Sequence, residues 1–303
     1  MAHSTRSDGG EAELIRGIAE RIRQRSGAAS PGKLAIRQCG ADDLRGLLEL
    51  VKSVGWQVTS GSLASVMNLG EMWCFTNDGA IVGSAGWVPH GRSCAWIVMV
   101  MTRPEWRGCS IATTLMRKVL KRTERYSERM LDASEFGEPV YRRLGFKECA
   151  KVHLLEIPPS GAAAPRFAWR RMRAEDFPLP GTDELDPAHR HIFGASPEFC
   201  RLLEQDGRIV AWFLGRVKGA SVHIGQIYAE NAELAVDAFD MARAMLPGRT
   251  LSLAIPPEQS TLFAAVTAAG ATLVRIHTRM YCADHAVPPF PPGIRGSAGP
   301  DFG

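Results

Sequence analysis

Residues 96–102 are almost wholly apolar and run into Pro104-Glu105-Trp106-Arg107-Gly108-Cys109-Ser110-Ile111-Ala112-Thr113-Thr114-Leu115-Met116, after which Val119 and Leu120 continue a helical apolar face. The order is buried strand, turn of small residues, helix start. Free amides at a helix start and the positive end of the helix dipole favour an anion, and small residues in the turn let the backbone come close to it. Such a segment suits a pyrophosphate group, and it fits a chain that alternates strands with helices.

The flanking sequence continues that alternation. Residues 11–25 set Leu14, Ile15, Ile18 and Ile22 on one face of a helix that leans on the body of the protein. A strand over 34–37 and a helix over 42–54 follow, with Leu44, Leu47, Leu48 and Val51 at core spacing, Asp42 and Asp43 as caps, and then a polar Gly/Ser loop. Strands over 72–76 and 80–88 flank Asn77-Asp78-Gly79, a hairpin signal, and Pro89-His90-Gly91-Arg92 turns the chain into 93–102. Beyond the helix lie a short strand over 130–133, a helix ending at Leu144 and a strand over 146–156. This predicts an α/β fold, a mixed central sheet flanked by helices.

Pro158-Pro159-Ser160-Gly161-Ala162-Ala163-Ala164-Pro165 breaks the pattern, and a second region begins near Phe167. It repeats the first: a hairpin at Gln205-Asp206-Gly207, a strand into Ile227, a helix over 232–245, then strand, helix, strand. Residues 251–281 parallel 130–155, with Ala269-Gly270-Ala271 standing where Leu144-Gly145-Phe146 stands, which reads as a diverged internal duplication. The expected organisation is an extension over 1–32, one domain over 33–157, a linker over 158–166, a second domain over 167–285 and a disordered tail over 286–303.

Composition excludes several classes. Lysine and arginine number 36 against 32 acidic residues, a net charge of +4, so no global basic field marks a nucleic-acid partner. Seven cysteines lie between Cys39 and Cys282 without a CxxC pair, which fits neither a disulfide framework nor a zinc site and suits a reducing cytoplasm. His189-x-His191 reads as a polar loop, not a metal site. No run of about 18 apolar residues or export leader is seen, so no membrane partner is expected.

The strand–helix–hairpin–loop–helix order, with Tyr141-Arg142-Arg143-Leu144-Gly145-Phe146 downstream, resembles the GNAT superfamily of acetyl-CoA-dependent N-acetyltransferases. The family loop is Arg/Gln-x-x-Gly-x-Gly/Ala. Here it is Arg107-Gly108-Cys109-Ser110-Ile111-Ala112, with Ser110 in place of the central glycine. Gly55-Trp56, Leu131-Asp132-Ala133-Ser134 and Gly137-Glu138-Pro139-Val140-Tyr141 are similar to the bacterial tandem-GNAT group often called YitH- or HolE-like, as are Ile224-Gly225 with Ala229 and Thr278-Arg279-Met280-Tyr281. The resemblance implies two tandem GNAT-like domains, the second degenerate: Val266 stands at the position of Tyr141, and residues 227–235 hold no loop motif.

It also implies a division of labour. Val100, Met101 and Thr102 on the strand, Arg107, Gly108, Cys109, Ser110, Ile111, Ala112 and Thr113 in the loop, and Ser134 would bind acetyl-CoA as co-substrate, with Arg117 and Lys118 as further phosphate neighbours. Tyr141 would protonate the departing thiolate, since a phenol can donate to a thiolate of lower pKa. Asp132 and Glu135 are the preferred general bases, ahead of Glu71 and His90. Trp56, Trp73 and Glu71 would line the pocket for a small-molecule amine. Cys109 has no triad partner, so covalent catalysis is not expected. Other readings are a protein-amine acetyltransferase or a non-catalytic acyl-CoA-binding scaffold; a homodimer is compatible with either.

Overall fold

The computed structural model describes residues 8–26, 31–159, 164–182 and 187–299. Its elements run α1 (Asp8–Ser26), β1 (Leu34–Gln38), α2 (Leu44–Ser53), α3 (Ser60–Leu69), β2 (Glu71–Asn77), β3 (Ala80–His90), β4 (Cys94–Thr102), α4 (Ile111–Arg122), β5 (Glu128–Ala133), α5 (Glu138–Arg143) and β6 (Lys147–Ile157). They continue β7 (Arg170–Arg171), α6 (Pro187–Ala195), β8 (Arg201–Gln205), β9 (Arg208–Lys218), β10 (Ser221–Ala229), α7 (Ala232–Met245), β11 (Leu251–Ile255), α8 (Ser260–Ala268) and β12 (Thr272–Cys282). The chain forms two units. One takes the described residues up to Trp87 with Ile97–Arg125, the other Val88–Trp96 and the described residues from Tyr126 onward; β3 and β4 pass from one to the other.

In the first unit the sheet order is β1-β2-β3-β4, with β1 antiparallel to β2 and β2 to β3. Asp78 and Gly79 both take positive φ (48° and 83°), the backbone that a tight two-residue hairpin needs. The expected polar loop after α2 is instead α3. Thr59 caps it by accepting from the Ser62 amide at 3.1 Å, and Leu63 and Val66 are buried one turn apart, so the cap and the buried face outweigh its serines and glycine. Helix α4 buries Ile111, Leu115, Met116 and Val119. Its first turn sits directly on β3, where a Cβ on Gly83 would stand 2.7 Å from Ile111 Cγ2 and 3.2 Å from the Met101 carbonyl.

In the second unit the order is β5-β12-β6-β11-β10-β9-β8-β7, with the start of β4 parallel to β5. Strand β12 runs antiparallel to both β5 and β6, and β6 runs antiparallel to β11. The corresponding segments β5-α5-β6 and β11-α8-β12 have therefore exchanged their last strands: β12 lies beside β5, and β6 beside β11. The duplication extends to hydrogen bonds. Gly145 (φ 89°) and Gly270 (φ 83°) end α5 and α8, and the next amides, of Phe146 and Ala271, donate to the carbonyls of Tyr141 and Val266 at 3.1 and 3.4 Å. Phe213, Phe239, Leu253 and Val266 are among the side chains of the buried core.

Two expectations change. Residues 286–299 are not a disordered tail: Val287, Ile294 and Ala298 are buried and Ile294 and Ser297 form β-bridges with Tyr228 and Ala254, because β10 and β11 leave backbone groups that this segment satisfies. His189-x-His191 lies on α6, not in a loop, and His189 is buried with its Nε2 against Gln226 Oε1. Residues 160–163 of the expected linker and 300–303 of the tail lie outside the described residues.

Candidate active site

The first unit holds β4 from Ile97 onward, the loop and α4. Within β4, Met99 adopts φ 53°, and the buried hydroxyl of Ser84 donates to its carbonyl at 2.7 Å. A left-handed residue inside a strand is a local break in its regular extended backbone, and Val100, Met101 and Thr102 follow it. The parallel pairing of β4 with β5 covers Cys94, Ala95 and Trp96 only. Thr102 ends the strand with a buried hydroxyl that has no partner among the described residues.

The loop that follows is shaped for close approach. Gly108 and Ser110 both take positive φ (76° and 66°). Ser110 stands at the N-cap of α4 in left-handed backbone, which explains the family glycine at this position: serine holds the same conformation at a cost. The Ser110 side chain makes no cap hydrogen bond to α4, whereas Thr59 caps α3 and Asn231 caps α7 by accepting from Leu234 N at 2.9 Å. Cys109 is buried with its thiol over the Arg107 carbonyl at 3.8 Å, and the exposed Arg107 guanidinium donates to the Thr102 carbonyl at 3.4 Å. Ala112 and Thr113 are half-buried in the first turn. An open helix start, a glycine cradle and an orphaned hydroxyl are the features a pyrophosphate and its attached arm require, so the residues present fit acetyl-CoA.

Other expected binding residues lie elsewhere in this unit. Lys118 is paired with Glu11 at 2.9 Å and lies 4.5 Å from the centre of the Trp73 ring. Glu71 accepts from Trp73 Nε1 at 3.1 Å and from Arg122 at 2.7 and 2.9 Å, and that guanidinium draws its carboxyl below the usual range. At about 1.5 Å of rise per residue, Lys118 and Arg122 are roughly 10 and 16 Å along α4 from Ile111. Glu71 and Trp73 of β2 thus form a polar cluster with Lys118 and Arg122 of α4. Arg117 is exposed, and Trp56 is half-buried between α2 and α3.

The second unit holds the residues expected to act as acid and base. Tyr141 on α5 is buried, 6.0 Å ring to ring from Phe146, and its ring packs over Gly137, where a Cβ would come within 2.8 Å of it. Burial pushes the phenol above its ordinary range, so it stays protonated at neutral pH and keeps a proton to donate. Asp132 is a correction. Both its oxygens accept from Arg279, each at 2.8 Å, and the two side chains are 1% and 3% exposed, which leaves a structural ion pair with no free oxygen edge toward solvent. Glu135 is exposed. The Ser134 hydroxyl and carbonyl both accept from the Gly137 amide, closing the turn into α5. His90 lies 5.8 Å from Trp96 and 6.3 Å from His189, ring to ring.

Sequence reading missed Met99, Ser84 and Arg279. A left-handed methionine in a strand has no local signal, and Arg279 meets Asp132 only through the strand exchange.

Residues 68–148 match the family model of the acetyltransferase (GNAT) domain. They form a GNAT domain. A domain of this description supports an acetyl-CoA-dependent acyltransferase. The GNAT fold recurs in a crystal structure from Pyrococcus horikoshii, with a TM-score of 0.71 at 17% identity over 89% of this chain and 96% of that one. A tandem GNAT protein from the clavulanic acid biosynthesis pathway aligns at a TM-score of 0.61 and 12% identity, over 84% of this chain and 100% of its own. A GCN5-related N-acetyltransferase from Sphaerobacter thermophilus aligns at 0.56 and 13%, over 82% and 95%. These likenesses show the fold, including its tandem form. No curated protein matches the chain. Among the described residues no group of side chains could hold a metal ion, and no helix is long and apolar enough to cross a membrane.

Proposed function

We propose that this chain moves acetyl from acetyl-CoA directly to the primary amine of a small molecule. The observation that carries the reading is the uncapped start of α4 behind two positive-φ residues, Gly108 and Ser110. When bound, acetyl-CoA supplies the thioester. Amides of residues 108–113 hold its pyrophosphate, and the amides after Met99 orient and polarise the carbonyl. Tyr141 returns a proton to the thiolate, a role its burial and protonated state support. With Asp132 engaged by Arg279, the exposed Glu135 is the remaining carboxylate of the two preferred bases. The second repeat carries no such loop: only Glu230 and Asn231 separate β10 from α7, and Asn231 occupies the helix start.

Calorimetry with acetyl-CoA on the full chain tests this. One equivalent bound per chain, followed by turnover of at least one amine in a panel of amino sugars, amino acids and polyamines, is the expected result. Binding without turnover of any amine would favour the scaffold reading; absence of binding would remove the cofactor assignment.

A further inference from the structure

Strands β10 and β11 are the second repeat's counterparts of β4 and β5, and they separate in the same way. Their parallel pairing covers Val222 with Leu251 and His223 with Ser252, and then stops. A left-handed residue interrupts β10 as Met99 interrupts β4: Gln226 has φ 50° at the point where the register against β9 slips. What differs is what lies beyond the pairing. Residues 293–298 enter as a wedge, antiparallel to β10 through Tyr228 and Ile294 and to β11 through Ala254 and Ser297.

The wedge is held by its backbone. Ala229 N donates to Gly293 O at 2.9 Å, Arg295 N to Ile227 O at 2.6 Å, and Ser297 N to Ala254 O at 2.8 Å. Two buried side chains of the sheet receive its end: His223 Nε2 lies 3.2 Å from Ser297 O, and Arg216 donates to Ala298 O at 2.9 Å. Glycines permit the close approach from both sides. A Cβ on Gly225 would stand 2.6 Å from Ala298 Cα, and one on Gly293 (φ 82°) 2.3 Å from the Tyr228 ring.

We propose that the opening between β10 and β11 is an acceptor site for an extended peptide, and that residues 293–298 of this chain are its occupant. The segment does in the second repeat, with peptide backbone, what the acyl-CoA arm does along β4 in the first; this comparison rests on the function proposed above, but the acceptor site itself does not. The second repeat is thereby closed to an acyl-CoA arm, and the chain takes one cofactor.

Native-state hydrogen exchange on the full chain tests the proposal, with Gly293→Val and Gly225→Ala attacking the contact from opposite sides. In the wild type the amides of Ala229, Arg295 and Ser297 are expected to exchange at least 100-fold more slowly than in an unstructured peptide. Either substitution should lower that protection at least tenfold while β9 and α7 keep theirs. A synthetic peptide of residues 289–299 added to the Gly293→Val chain should restore protection at Ala229. Fast exchange of these amides in the wild type, or failure of the peptide to restore protection in a variant whose β9 and α7 remain protected, would overturn the proposal. The readout needs no acetyl-CoA, so protected amides in a chain that binds none would sink the functional reading alone.

Discussion

Arg279 of β12 grips Asp132 of β5 with two parallel hydrogen bonds, Nε and Nη2 each donating to one carboxylate oxygen at 2.8 Å. The guanidinium is flanked by the rings of Trp96 and Phe290, 4.7 and 4.2 Å from their centres, and it also reaches Pro289 O and Ser297 Oγ. One buried cation thus ties the strand that the second repeat lends, the first repeat's β5 and residues 289–297 into one network.

Removing one member leaves a charge buried without its partner. Arg279→Met or Asp132→Asn should lower unfolding stability by about 3–5 kcal/mol in urea titrations, whereas the double change Asp132→Leu with Arg279→Met should recover most of it. A single-variant loss below about 1 kcal/mol would mean that the pair is solvated in solution.

Ser110 bears a left-handed backbone that glycine tolerates better. Ser110→Gly should raise stability by about 1 kcal/mol and leave acetyl-CoA binding equal or tighter, read by thermal unfolding and calorimetry. Destabilisation by this change would show that the serine hydroxyl contributes a contact worth more than the strain.

Tyr141→Phe keeps the buried ring and removes the proton donor. Turnover should fall roughly 10²- to 10⁴-fold with acetyl-CoA affinity unchanged. The raised phenol pKa fixes the pH behaviour. Tyr141 remains an acid throughout the neutral range, so any alkaline fall in rate that it causes lies above the ordinary tyrosine value of about 10. Its contribution to stability follows the same sign: fully present below the unfolded pKa, and lost as pH rises toward the higher folded value. An alkaline limb near pH 8 that vanishes in Tyr141→Phe would contradict this.

Gly83→Ala places a methyl against Ile111 Cγ2 and close to the Met101 carbonyl. It should weaken acetyl-CoA binding by pushing the start of α4 off the sheet, with helix content by circular dichroism unchanged. Unaltered affinity would mean that the loop does not depend on where α4 begins.

Local patterns in the chain were enough for much of this protein. Residues 232–245 were legible as a helix from spacing alone and form α7 with those bounds, and Asn77-Asp78-Gly79 closes its hairpin because asparagine, aspartate and glycine accept the backbone it needs. The anion-ready turn after β4 and the repeat of Leu144-Gly145-Phe146 in Ala269-Gly270-Ala271 were equally local. Tertiary structure alone decided the rest. Strand exchange depends on which edge each strand finds, and an alternating apolar pattern is the same for either neighbour, so nothing in residues 272–282 announces that β12 will lie beside β5. Asp132 is an open carboxylate in the sequence and a neutralised one in the fold because its partner lies far along the chain. The Pro- and Gly-rich residues 286–299 look unable to order themselves, and by themselves they have no core to bury; they become ordered because β10 and β11 diverge and leave backbone donors and acceptors that this segment is there to meet.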